Sequence, residues 1–406
     1  MRTIFKIAWR NIWRNRLRSL VVIGSIVLGI WSGIFVGAFS FGMNTQRTKN
    51  TIKNNISHLQ IHHKKWAKEH KLNYWIEDPK SIENYLTNSK AVKHFSSRIL
   101  INGMVASAHK TAGVQITGIN PEQEAQLTDL ASKIDSGNYI SDKGKNSILI
   151  GEALAEKMKV KPGSKVVITF TDSDGNIISS AFKIRGFFNV TSSTLEKSMV
   201  YVRNSDLEKL LNRTESAHEF ALLLNNEDQV ESFHDELQQH FPNYRVQTWK
   251  EVAPELAYAD DMMSTMLYII IGIIILALSF GIVNTMLMAV LERKKELGML
   301  MGIGMSKTRI FLMILFETLL LSLCGGPLGV ILSYASIALS HQTGIDLSFF
   351  GAGLQSLGID SVIYPEVMTS FYFGTGGLVV VMAIISSIWP ARRALKMNPV
   401  EAIRTI

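Results

Sequence analysis

The residue types with the clearest chemical potential fall in one short basic stretch, Glu292-Arg-Lys-Lys-Glu-Leu-Gly298 followed by Gly302-Ile-Gly304. On a helix, Glu292, Lys295 and Glu296 share one charged face and Leu297, Leu300 and Met301 take the other, the pattern of a short helix lying along a membrane surface. Gly298, Gly302 and Gly304 permit close approach of another backbone. The run Gly302-Ile-Gly-Met-Ser-Lys-Thr308 has the look of a phosphate loop. Met301 and Ser306, however, stand where such a loop needs glycine, and an apolar helix rather than a strand precedes it. Nucleotide binding by this chain is not expected.

Other candidates are sparser. Glu317 is an acid inside an otherwise uncharged apolar run, eight residues past Arg309 and so about 12 Å along a helix. It reads either as a coupling or proton-relay acid, or as a structural partner for Arg309 or a basic residue near Arg392. The second reading is favoured, because one acid without a second ionisable group makes a poor relay. His58, His62 and His63 suggest a metal, but neighbours on a strand point to opposite faces and no Cys or close acid completes a shell, so no metal is expected. No nucleophile motif of the G-x-S-x-G kind and no paired acid and base stands out, and covalent chemistry is not expected. Gly33/Gly37 and Gly325/Gly329 are small-x-x-x-small pairs suited to helix contact, within the chain or across a dimer seam.

The elements that carry these residues follow from charge and hydropathy. Ser19–Gln46, Met262–Leu291, Ile310–Ile345 (broken by Glu317) and Val367–Ala391 are uncharged stretches, each exceeding the ~20 residues that span a bilayer. Fifteen of the 42 basic residues lie in three short segments, before the first stretch, between the second and third, and after the fourth; the loop 341–366 has no Lys or Arg. The positive-inside rule then places both termini and the 292–309 loop in the cytoplasm. Residues 45–262 hold 27 basic and 27 acidic residues, a neutral domain facing outward. The net charge of +8 therefore belongs to the cytoplasmic membrane surface, and nucleic acid is not an expected partner. The first apolar stretch is too long for a secretory h-region and reads as an uncleaved anchor. Cys324 lies in the third stretch, so the outer domain folds without disulfides.

The expected fold is an α-helical membrane protein with four transmembrane helices and a large α+β periplasmic domain inserted between the first two. Its parts are an amphipathic leading helix (1–19), spans at 20–44, 263–291, 310–340 and 367–391, the outer domain (45–262), a cytoplasmic loop helix (292–309), an outer loop (341–366) and a tail (392–406). Within the outer domain two αβ units, about 45–120 and 215–262, flank a β-rich middle, about 121–214. The first has strands at Ile56–His63, Arg98–Ala108 and Gly113–Gly118 with a helical pattern over Pro79–Phe95. The second runs as strand (Glu219–Leu224), helix (Glu227–Phe241) and strand (Tyr244–Trp249). The middle contains Ser147–Ile150, a hairpin of Lys165–Thr171 and Ile177–Phe187 turning at Asp174-Gly175, and Met199–Val202.

This layout resembles the permease subunits of the MacB and LolC/LolE (FtsX-like) superfamily of ABC transporters, and most of all the lipoprotein-releasing permeases. Three motifs carry the resemblance: the start Ala8-Trp-Arg-Asn-Ile-Trp-Arg-Asn-Arg-Leu-Arg-Ser19; the E-R-x-x-E-[IL]-G pattern at Glu292–Gly298; and Pro390-Ala-Arg-Arg-Ala394 with Asn398-Pro-Val-Glu-Ala402. Ile116–Pro121, Ile148–Gly151 and Val160–Gly163 add a less specific likeness. The resemblance implies an inner-membrane, non-catalytic subunit, with ATP and Mg held by a separate cytoplasmic ATPase dimer and no cofactor in this chain. Its partners would be a second permease of the same or homologous sequence, membrane lipid, a lipoprotein substrate and a periplasmic carrier. Glu292, Arg293, Glu296, Leu297, Gly298 and Gly302 would couple to the ATPase. Efflux of a drug, peptide or toxin, or FtsX-like regulation of an envelope hydrolase, are the alternative roles.

Overall fold

The computed structural model describes residues 2–141, 145–190, 193–356 and 358–396. The chain forms two compact units: Met1–Asn44 with Asp261–Asp346 and Val362–Ile406, and Thr45–Asp260 with Leu347–Ser361. Asn398–Ala402 and Arg404 lie outside the described residues.

Among the described residues, four helices are long and apolar enough to cross a membrane: Arg16–Thr51, which runs on as a π-helix over Ile52–Ile56, then Pro254–Glu292, Lys307–Thr343 and Thr369–Leu395. Each exceeds the span expected from hydropathy, because apolar composition marks the hydrocarbon layer while the backbone ladder continues wherever residues tolerate helix. The leading helix, Arg2–Arg14, is shorter than the expected 1–19. It ends at Asn15, where the Ser19 hydroxyl donates to the Ile12 carbonyl at 2.6 Å. Its Ile4, Ala8 and Ile12 are buried, whereas Phe5, Trp9 and Trp13, at the same spacing, stay exposed. Phe5 meets Phe316 edge-on at 6.3 Å, which seats this helix on the third long one.

The small-residue pairs serve contacts within the chain. A Cβ on Gly325 would come within 3.0 Å of Ile26, and one on Gly329 within 2.9 Å of Ile30, so the first and third long helices touch along this stripe. A Cβ on Gly37 would come within 3.0 Å of the Phe371 ring, and one on Gly33 would lie at ordinary distance, 3.5 Å, from Ile274.

Among the described residues, the second unit is built on ten strands: β1 (Leu59–His63), β2 (Val92–Ala106), β3 (Thr111–Ile119), β4 (Ile134–Gly137), β5 (Ser147–Gly151), β6 (Lys165–Thr171), β7 (Ile177–Phe188), β8 (Met199–Arg203), β9 (Glu219–Leu224) and β10 (Tyr244–Thr248). The order β10-β1-β9-β2, all antiparallel, with helices Pro79–Asn88 and Val230–His240, is the split β-α-β pattern of ferredoxin-like folds. Ile61, Phe220, Leu222, Leu86 and Leu237 fill the space between sheet and helices. The long β2 continues past this sheet and pairs with β3, and β3, β8, β5, β7 and β6 then return to Met104–Ala106 of β2. This closes a six-stranded barrel whose interior holds Ile101, Ile116, Ile148, Ile168, Phe182 and Val200.

Local chemistry accounts for several boundaries. Asp78 caps the first helix by accepting from the Ser81 amide, with Pro79 supplying the fixed first-turn φ. That helix stops at Asn88 rather than Phe95, because Phe95 pairs with Leu222 in the sheet. The β6–β7 turn is held by Asp172, which accepts from the Asp174 and Asn176 amides, while Gly175 takes φ +88°. Short helices at Pro121–Leu127, Glu152–Met158 and Asn204–Leu210 lie in the middle region, where the sequence indicated mostly strand. The outer loop is divided. Ile345–Asp346 pairs with Val362–Ile363, while Asp360 accepts from Gln46 and, at 2.5 Å, from Asn50.

His218 is an internal strut of this unit. Its Nδ1 accepts from the Leu100 amide at 3.1 Å, its Nε2 faces the Leu72 carbonyl at 3.0 Å, and its ring stacks between Trp66 and Trp75. Burial lowers its pKa to about 4. The unfolded chain thus binds this proton more readily than the folded one. The stabilisation is complete above the ordinary histidine value of about 6.5 and is lost as pH falls toward 4, a span worth about 3 kcal/mol. Amide exchange of the full-length protein in detergent is expected to accelerate in this unit between pH 6.5 and 4. His218→Gln should flatten that slope; an unchanged slope in the variant would remove His218 as its cause.

Candidate functional site

The E-R-x-x-E segment forms a turn and a helix, Lys294–Gly302, with Arg293 at its N-cap. The chain reverses here between the second and third long helices, so Arg293 points back toward Glu317. Arg293 Nη1 lies 3.2 Å from Glu317 Oε2, and its Nε donates to Glu296 Oε2 at 3.0 Å. Glu296 in turn accepts from Arg14 of the leading helix at 2.6 Å. Four alternating charges, Arg14, Glu296, Arg293 and Glu317, therefore link the leading helix, the loop helix and the third long helix. A separate pair joins Arg18 to Glu292 at 2.8 Å.

The partner of Glu317 is thus Arg293, neither Arg309 nor a residue near Arg392. Arg309 lies on the same helix about two turns away, too far to reach comfortably, whereas the reversal at Arg293 brings a guanidinium alongside. This pair carries most of the energetic weight in the chain of charges. Side-chain exposure falls from 54% and 43% at Arg14 and Glu296 to 11% and 7% at Arg293 and Glu317. An exposed pair contributes about 0–1 kcal/mol, whereas stranding one member of a buried pair costs about 3–5 kcal/mol. The hydrogen bond from Arg14 holds the Glu296 carboxyl below its usual range, so the outer pair stays ionised at neutral pH.

The residues expected to couple to an ATPase do not share one open face. Leu297 and Gly298 are buried against their own unit; Glu292 and Gly302 are exposed. Gly298 therefore serves packing within the chain, and the close approach proposed for it is already used. Lys295, Met299 and Ile303, one helical step apart, form the open face, with Met299 55% and Ile303 79% exposed. Sequence reasoning missed Met299 and Ile303 because the charge pattern put the apolar side one residue away. Gly304, at φ +96°, makes the turn that ends this helix.

The histidines are spread over different surroundings. His58 accepts from the Leu224 amide at 3.0 Å, His63 stacks on Tyr74, and His62 lies between the His218 carbonyl and Gln60.

Four apolar helices and a charged reversal beside a buried acid define a polytopic membrane subunit, and comparison with known proteins gives its class. Residues 19–240, over half the chain, match the family profile described as MacB-like periplasmic core domain, and residues 268–399 match FtsX-like permease C-terminal. The lipoprotein-releasing system transmembrane protein LolC of Haemophilus influenzae is 23% identical, covering 93% of this chain and 91% of that one. The uncharacterized ABC transporter permease YknZ of Bacillus subtilis is 24% identical over 98% of both chains. The macrolide export ATP-binding/permease protein MacB of Chlorobium luteolum is 30% identical over 40% of this chain and 22% of its own length. The protein is an ABC transporter permease. It belongs to the MacB-like family, with the LolC/LolE and FtsX-like permeases as relatives.

The buried pair yields a test. Arg293→Met should lower the stability of the full-length protein by about 3–5 kcal/mol, and adding Glu317→Leu should recover most of that loss. Thermal unfolding in detergent of both single variants and the double variant measures the coupling. Additive losses would show that the two side chains act independently.

Proposed function

We propose that this chain is the membrane-spanning, non-catalytic subunit of an ATP-driven transporter that extracts lipoproteins from the inner membrane and passes them to a periplasmic carrier. The observation that carries the reading is the chain of charges from Arg14 to Glu317. A push on the open face of Lys294–Gly302 is delivered to the leading helix through Glu296–Arg14 and to the third long helix through Arg293–Glu317. A separate ATPase dimer, holding ATP and Mg, docks on Lys295, Met299 and Ile303, and a second permease completes the complex. The likeness to LolC over nearly the whole of both chains supports the lipoprotein cargo. Extraction opposes about 0.8 kcal/mol per acyl CH₂ taken from the bilayer, which calls for a driven step rather than passive exchange.

The orientation rests on the Lys/Arg asymmetry. Single cysteines at Ser173, in the exposed β6–β7 turn, and at Ser306, in a background with Cys324 replaced, should label oppositely with an impermeant maleimide in intact spheroplasts. Equal labelling of both sites would refute the arrangement.

The MacB similarity favours a second reading, efflux of a drug or peptide. Depletion of this subunit should strand outer-membrane lipoproteins in the inner membrane, and Met299→Arg, which leaves the buried contacts intact, should do the same while the protein accumulates normally. Normal lipoprotein sorting with raised sensitivity to macrolides or peptides would establish efflux instead. Normal ATPase recovery with Met299→Arg would remove the docking face.

A further inference from the structure

One face of the sheet unit is polar where it is most enclosed. Gln247 on β10, Gln60 and His62 on β1, Glu219 on β9, Arg98 on β2, Thr117 on β3 and Tyr201 on β8 come from six neighbouring strands, and all are buried. They are matched across the ladder: Gln60 opposite Gln247, His62 opposite Glu219, Glu219 opposite Arg98, and Thr117 opposite Tyr201. These side chains line a cavity of about 280 Å³, with Glu251 among its exposed residues. A buried sheet face is ordinarily apolar, because each polar group taken from water needs a partner.

The fixed charge here is net negative. Arg98 is committed: its Nε and Nη2 grip Glu124 at 3.0 and 2.7 Å, and its Nη1 donates to the Asn55 carbonyl and to Glu219 Oε1. Glu124 neutralises Arg98, which leaves the charge of Glu219 uncompensated. Among the described residues, Glu219 Oε2 is paired with His62 Nε2 alone, at 3.7 Å. That nitrogen is 2.9 Å from Gln60 Oε1, and Gln60 is oriented by its own amide donating to the Ile56 carbonyl. His62 Nδ1 faces the His218 carbonyl at 3.1 Å. Burial lowers the His62 pKa, so the neutral ring has one proton for two acceptors. Thr117, 1% exposed, has a hydroxyl without any hydrogen-bond partner on this same face.

We propose that this cavity binds a small ammonium-bearing ligand, a mono- or diamine of metabolite size, with its cationic end at the free oxygen of Glu219 and Glu251 adding attraction. The net negative charge of the site selects a cation over an anion, and the unpartnered Thr117 hydroxyl can accept a hydrogen bond from the ammonium group. The ligand would also have a mechanical consequence. The lining includes Asn55 and Ile56, at the π-helical end of the first long helix, and Glu251 and Val252, which precede the second. The Trp249 amide already joins these segments by donating to the His58 carbonyl at 3.0 Å. Occupancy would tie them together more firmly.

Calorimetric titration of the full-length protein in lipid nanodiscs with 1,4-diaminobutane, against the neutral isostere 1,4-butanediol, tests the site. The diamine is expected to bind at least about tenfold more tightly than the diol. Glu219→Gln should weaken the diamine about tenfold or more, and Thr117→Leu should weaken it by removing the hydroxyl and narrowing the cavity. Because Glu219→Gln disturbs the Arg98 cluster, the exposed Glu251→Gln gives an independent reading, with an expected loss of about threefold. No heat with the diamine, equal binding of diamine and diol, or undiminished affinity in both Thr117→Leu and Glu251→Gln would overturn the proposal.

Discussion

A carboxylate within an apolar helix bundle must be neutralised, and the way Glu317 is neutralised organises the helical unit. Arg293 can reach it only if the chain reverses directly after the second long helix. That reversal fixes the start of Lys294–Gly302, and the helix then offers Glu296 to Arg14 and buries Leu297 and Gly298. Shape and charge reinforce each other: Ile4, Ala8 and Ile12 seat the leading helix, and Arg14 ties its end. The deep pair is rigid because separating it would strand a charge, while the exposed pair can exchange partners at little cost. The chain of charges thus grades from fixed contacts within the bundle to exchangeable ones at its surface.

The sheet unit meets the opposite problem. Its barrel and helix-covered faces are packed with Ile, Val, Leu and Phe, but the remaining face of β10-β1-β9-β2-β3-β8 carries Gln, His, Glu, Arg and Thr. A polar network at that depth is tolerable only where nearly every group finds a partner. Arg98, Glu124, Asn55 and Gln60 do so; Thr117 does not. Histidines act as backbone acceptors within this unit: His58 takes the Leu224 amide and His218 the Leu100 amide. Such rings serve only while unprotonated, which makes the unit's stability sensitive to acid.

Much of the architecture was legible because it follows from local chemistry. Uncharged runs of 25 or more residues, the Asp78-Pro79 cap and the Asp172–Asn176 turn require no knowledge of the rest of the chain. The E-R-x-x-E spacing likewise marked Glu292, Arg293 and Glu296 before any contact was known. Less legible were segments whose local preference conflicted with a distant partner. Phe95 has helical spacing yet lies in a strand, because Leu222 is its neighbour in the sheet. The loop 341–366 reads as one connection but divides, because Asp360 finds Gln46 and Asn50.

By itself, then, the sequence determined that this protein has four apolar helices, basic segments flanking them and a charge-balanced αβ domain between the first two, since hydropathy, net charge and periodicity are properties of short windows. Only the tertiary structure decided which cation meets Glu317, that Met299 and Ile303 rather than Leu297 and Gly298 form the open face, and that polar residues drawn from Gln60 to Gln247 converge on one cavity. The physical reason is the same in each case. Charge pairing and burial depend on distances through space, and residues separated by many positions acquire those distances only when helices reverse and strands pair.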